Sequence, residues 1–190
     1  MVQSWITVVS GLPRSGTSML MQMLEAGGMQ IFTDNARLAD EDNPKGYYEL
    51  EPVKHLEEDA SFLDKVQGRA CKIISERLKH LPAQYDYRVI FIRRKMEEIL
   101  ASQKQMLMRR GEHVDRIGDQ ALGGIFQRHL AKIEHWLAQQ PNCDVLYINY
   151  NELVNDPAEG IKKINRFLDD SLDLDRMAEA VDKTLYRQRR

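Results

Sequence analysis

The run Gly11-Leu12-Pro13-Arg14-Ser15-Gly16-Thr17-Ser18 has the composition of an anion cradle. A short, mostly β-branched apolar segment at 5–10 (WITVVS) precedes it. The helix-forming stretch MLMQMLEA follows, closed by Gly27-Gly28. The run therefore falls where a strand turns into a helix. The first amide N–H groups of a helix lack intrahelical partners and carry the positive end of its dipole. Glycines let that backbone come close to an anion, and the hydroxyls of Thr17 and Ser18 add donors. Gly11 and Gly16 keep the spacing of the nucleotide-binding pattern G-x-x-x-x-G-K-S/T, but Thr17 occupies the lysine position and Arg14 carries the fixed charge instead. A triphosphate would lose a main counter-charge in such a loop, whereas a less charged terminal group bound without a metal is easier to satisfy. An ordinary Gly- and Ser-rich turn between strand and helix is the alternative reading.

Leu12-Pro13-Arg14-Ser15-Gly16-Thr17-Ser18 resembles the 5′-phosphosulfate loop of the sulfotransferases, in which Pro precedes Lys or Arg, then Ser or Thr, Gly, Thr, and Thr or Ser. The likeness is greatest to tyrosylprotein sulfotransferases and to bacterial sulfotransferase-like proteins, which carry arginine at the basic position. The resemblance implies 3′-phosphoadenosine 5′-phosphosulfate as sulfuryl donor, with no metal. It assigns Arg14, Ser15, Gly16, Thr17 and Ser18 to the 5′ end of the donor. It also implies a 3′-phosphate site made by an arginine at a strand end and a serine eight positions later. Arg94, after the apolar run 88–92, and Ser102 fit that spacing, with Arg93 an adjacent competitor. A guanidinium offers phosphate oxygens a planar fork and a hydroxyl adds one donor. A weaker match, Leu146–Leu153 followed by Asp156-Pro157 and Phe167-Leu168, is read as scaffold, so the likeness spans residues 5–168. The R-K-G segment with which cytosolic members close over the nucleotide has no counterpart. The segment Arg187-Gln188-Arg189-Arg190 reads as a disordered basic tail, with Tyr186-Arg187 as a substitute for R-K-G the alternative.

Sulfuryl transfer needs a base for the acceptor, charge stabilisation on the moving group and neutralisation of the leaving phosphate. Arg14 with Thr17 and Ser18 suits the last two. For the base, the resemblance to tyrosylprotein sulfotransferases points to Asp34 in Thr33-Asp34-Asn35-Ala36-Arg37, one methylene shorter than their glutamate; Asp34 equally suits a turn. Glu49 is the other candidate. Cytosolic members use a histidine, for which His55 is conceivable, although its setting reads as a solvated helix face. Lys72 stands inside an apolar strand, which is costly unless its ammonium reaches an anion or the strand end, where it could touch the sulfate.

The elements that must position these groups are short β-rich runs at 5–10, 70–74, 88–92 and 145–148, separated by helices expected at 19–26, 51–65, 97–109, 119–139, 157–168 and 174–182. Residues 33–52 read as a long loop with at most one helical turn, a length that usually serves function. Methionines 19, 21, 23, 106 and 108 read as core packing. The pattern predicts an α/β protein with a mainly parallel sheet covered on both faces, and with the resemblance a P-loop NTPase-like three-layer α/β/α fold in a single domain over 1–190.

The chain has 190 residues, enough to bury roughly 70% of its extended surface without staples. A net charge of −2 suits neither a nucleic-acid partner nor any other polyanion as main ligand. Cys71 and Cys143 cannot make a cluster or a disulfide framework and read as buried small hydrophobes. The five histidines show no ligand spacing. With no charged leader, no N-x-S/T acceptor and no membrane-length apolar run, the expectation is a cytoplasmic enzyme acting on a small-molecule or peptide hydroxyl or amine. Two rivals remain: a small-molecule kinase, opposed by Thr17 at the lysine position, and a nucleotide-binding module without turnover.

Overall fold

Four parallel strands carry the site in a computed structural model that describes residues 5–34, 40, 43, 46–111 and 118–182. The strands are β1 (Ile6–Gly11), β2 (Ala70–Lys72), β3 (Tyr87–Arg93) and β4 (Cys143–Asn149), in the spatial order β2-β1-β3-β4. Every pairing is parallel. Parallel strands cannot be joined by hairpins: α1 (Thr17–Ala26) lies between β1 and β2, and α2 (Met96–Arg109) and α3 (Asp119–Leu137) lie between β3 and β4, while α4 (Tyr150–Asn155), α5 (Pro157–Phe167) and α6 (Leu174–Glu179) follow the last strand. β1 and β3 are central, and every residue of β1 is buried, as the unbroken apolar run requires.

Side chains alternate between two cores, one on each face of the sheet. Ile6, Val8, Val89 and Phe91 pack on one face with Ile133 and Leu137 of α3. Val9, Ile90 and Ile92 pack on the other with Leu20 and Leu24 of α1, Leu153 of α4 and Ile164 of α5. This is the layered α/β architecture that the sequence predicts.

Three local expectations need correction. The single helix expected over 51–65 is instead two short 3-10 helices, Glu51–His55 and Ser61–Lys65. They are separated where the Asp59 carboxylate accepts the Ser61 amide at 2.8 Å, a side-chain bond that competes with helix propagation. A further 3-10 helix, Ser75–His80, follows β2, and α4 begins directly at the end of β4, its first turn capped by the Asn149 side chain. Met21 and Met23 are fully buried, but Met108 is 55% exposed and lines an open groove between α2 and the start of α3. Cys71 is buried and Cys143 half-buried; burial lifts their thiols to about 12 and about 11.

Candidate active site

Register alone brings the two basic motifs to one place. Gly11 pairs with Ile92, so Arg93 and Arg94 lie just beyond the residue that faces the start of the loop. Lys72, paired with Val9, ends β2 on the other side of β1. Open parallel sheets bind ligands at the carboxyl ends of their strands, where neighbouring connections diverge.

The loop between β1 and α1 takes a backbone path that few sequences tolerate. Gly11 and Gly16 have φ of 152° and 108°. A Cβ on Gly11 would lie 2.6 Å from both the Ile92 carbonyl oxygen and Ser15 Oγ, and one on Gly16 would lie 2.3 Å from the Tyr150 ring. Arg14, the basic residue, also sits at a left-handed φ of 70°, which costs a non-glycine residue about 1–2 kcal/mol. The Ser15 amide donates to the Leu12 carbonyl at 3.1 Å, which closes the turn.

Arg14 Nε donates to Ser102 Oγ at 3.0 Å, and Arg94 Nη1 donates to the Arg14 carbonyl at 3.0 Å. Arg14, Arg94 and Ser102, distant in sequence, therefore form one cluster. Arg93 points elsewhere: it pairs with Glu134 of α3 at 2.9 Å and lies 4.0 Å over the Tyr147 ring. Arg94 is also held by Glu98 at 2.9 Å and stacks 4.4 Å from the Tyr150 ring centroid. Glu98 and Tyr150 were not evident as site residues in the sequence. The i, i+4 spacing from Arg94 to Glu98 was the available signal.

A second group gathers over the first turn of α1. Asn43 Nδ2 donates to Ser18 Oγ at 2.9 Å, and that hydroxyl donates to the Tyr47 carbonyl at 3.3 Å. Lys72, only 7% exposed, donates to the same carbonyl and to Ser18 Oγ at 3.4 Å, and its ammonium lies 3.9 Å from the Glu49 carboxylate. The buried lysine thus reaches the strand end and a partly exposed acid. Asp34 is differently employed: its carboxylate accepts the Glu51 amide at 2.6 Å while Thr33 Oγ1 donates to the Glu49 carbonyl at 2.8 Å. These bonds lace 33–34 to 49–51. His55 is exposed, 3.8 Å from Glu58, and touches none of these groups in the contacts described. Tyr48, bonded to Glu25 at 2.5 Å, has its phenol pushed well above the usual range, first by burial and then by that carboxylate. Tyr186 and Arg187 fall outside the described residues. No helix among the described residues is long and apolar enough to cross a membrane, and none of their acid, histidine and cysteine side chains group to hold a metal ion.

The sulfotransferase domain family model matches residues 6–190. Among solved structures, mouse sulfotransferase SULT7A1 complexed with PAP is similar at 19% identity and a TM-score of 0.57; the match covers 95% of this chain and 63% of the mouse one. A sulfotransferase from Alicyclobacillus acidocaldarius is similar at 14% identity and a TM-score of 0.52, over 90% of this chain and 82% of that one. These likenesses concern the fold. This chain spans a little under two-thirds of the mouse protein's length. No curated protein matches in sequence. With the family model matching nearly its whole length, the chain belongs to the sulfotransferase domain family.

Proposed function

We propose that the protein transfers a sulfuryl group from 3′-phosphoadenosine 5′-phosphosulfate to a hydroxyl or amine acceptor. The observation that carries this reading is the joining of the two basic motifs through Arg14, whose side chain meets Ser102 and whose carbonyl meets Arg94. The loop fits the phosphosulfate end of such a donor. Ser10 Oγ and Ser15 Oγ are buried with no hydrogen-bond partner, at the end of β1 and inside the loop, and a Cβ at Gly11 would fill the space beside Ser15. The PAP named with the mouse structure supports the same donor class.

Bound there, the donor would supply a sulfuryl group already activated by a phosphate leaving group. Arg14 and the first amides of α1 offset the charge that gathers on that phosphate. Thr17 adds a hydroxyl donor on the same turn, Ser18 would add one by turning its hydroxyl from the Tyr47 carbonyl, and Lys72, reaching Ser18, adds a cation on the acceptor side. Arg94 and Ser102 serve the 3′-phosphate. Glu49 receives the acceptor's proton, because its carboxylate lies beside Lys72 while Asp34 is spent bracing the loop. The acceptor in this reading is a small molecule or a peptide.

Adenosine 3′,5′-bisphosphate should raise the melting temperature of the purified protein, while ADP with Mg²⁺ should not. Stabilisation by ADP with Mg²⁺ alone would favour the kinase reading. In a labelled-sulfate transfer assay, Glu49→Gln should lower kcat by about 10²–10⁴-fold with little change in donor KM. Asp34→Asn should lower it by less than tenfold and act mainly on stability. The reverse ranking would move the base to Asp34.

A further inference from the structure

Glu98 is a carboxylate with no solvent exposure at all, on the first turns of α2. A buried charge is tolerated only when paired and hydrogen-bonded. One oxygen accepts from Arg94 Nε at 2.9 Å and the other from Asn151 Nδ2 at 2.9 Å. Asn151, on α4, in turn accepts the Lys95 amide at 3.4 Å, so it ties the start of α2 to α4. The Arg94 guanidinium is thereby fixed at one edge by Glu98 and on one face by Tyr150, and it donates to the Arg14 carbonyl.

That carbonyl belongs to the peptide joining Arg14 to Ser15. The N–H of the same peptide is held by the Leu12 carbonyl at 3.1 Å. A planar peptide gripped at both ends cannot rotate. Its orientation follows a residue at positive φ and precedes Gly16, so it decides where the first amides of α1 aim.

We infer that Glu98 and Asn151 are positioning residues: they hold Arg94 against the Arg14–Ser15 peptide and so keep the anion loop in its receptive shape, coupling the two ends of the nucleotide site. The inference rests on the proposed function only for its ligand-binding arm. A purely packing role would tie α2 to α4 without acting on the loop.

The test uses the full chain with Glu98→Gln, which keeps shape and removes charge, and Asn151→Ala, which leaves the Arg94–Glu98 pair in place. Hydrogen exchange is followed without ligand at residues 14–17, with β1 and α3 as internal references, and adenosine 3′,5′-bisphosphate affinity is measured by calorimetry. Both variants should speed exchange at the loop by about tenfold relative to the references. Both should weaken bisphosphate binding by about 10–100-fold, by analogy with the loss of groups that orient metal ligands. Adding Glu98→Gln to Arg94→Gln should cost nothing further, because the acid acts through the arginine. Lower melting temperature with loop exchange unchanged would overturn the inference, as would additive losses in the double variant. If Glu98→Gln fails to fold, Asn151→Ala decides by the same two measurements. Wild-type protein that ignores the bisphosphate would sink the donor assignment instead, and the exchange result would still judge the loop.

Discussion

Arg14→Ala is expected to lower kcat by roughly 10²–10³-fold, the loss that follows removal of one preorganised donor at a developing charge. Arg14 is the only basic residue within the loop itself, where the related nucleotide-binding pattern would have a lysine three positions later. Its guanidinium is already aimed by the 3.0 Å bond to Ser102, so little reorganisation is needed when charge develops. Arg14→Lys should recover part of the rate but not all, because an ammonium keeps the charge and loses the planar fork that can serve Ser102 and an anion together. Folding should survive, since the side chain is only half-buried and the Arg94 contact is made by the backbone. The measurement is a labelled-sulfate assay paired with a melting curve. An unchanged rate in a folded variant would remove Arg14 from the chemistry.

Gly16→Ala should be strongly damaging. The new Cβ would overlap the Tyr150 ring at 2.3 Å, and the φ of 108° lies where side chains are strained whatever the space. Overpacking costs about 1–3 kcal/mol and the backbone about another 1–2 kcal/mol. A loss of about 2–5 kcal/mol corresponds to a fall of roughly 4–20 °C in melting temperature at this size. Bisphosphate binding should fail as well, because the Tyr150 ring displaced by the methyl is the one on which Arg94 stacks. Tyr150→Ala in the Gly16→Ala background should relieve the collision without restoring binding. Gly28→Ala is the control: its φ is 99° but no atom lies within 4 Å of the added carbon, so only the backbone cost should appear. Equal effects of the two changes would mean that Tyr150 is not the obstacle.

Much of this site was legible in the sequence, for physical reasons. A glycine-bearing turn between an apolar strand and a helix leaves few geometries, and the position of Arg14 within it follows. Arg94 and Ser102 were legible as a spacing of eight, whereas the destination of Arg93 was not. It depends on alternation along β3, which sends Arg93 toward Glu134 and Tyr147. Lys72 was visible as an anomaly, a charge in an apolar strand. Its partners at Ser18, Tyr47 and Glu49 come from a loop whose path no periodicity encodes. Glu98 was hidden among ordinary helix-surface acids such as Glu97, and its burial is fixed by α4, a six-residue helix too short to leave a pattern. The expected helix over 51–65 failed because one aspartate side chain outcompeted the backbone for an amide.

The all-parallel strand order has a kinetic consequence. β1 cannot meet β3 through a hairpin, and the contact between Arg14 and Arg94 closes a span of 80 residues. Pairings of such separation form late and slowly during refolding, after local helices. A partly folded chain with α1 and α2 intact but the central strands apart would have both halves of the proposed nucleotide site and no affinity. Recovery of ligand binding after dilution from denaturant would then lag behind recovery of helical signal, and would clock the completion of the sheet.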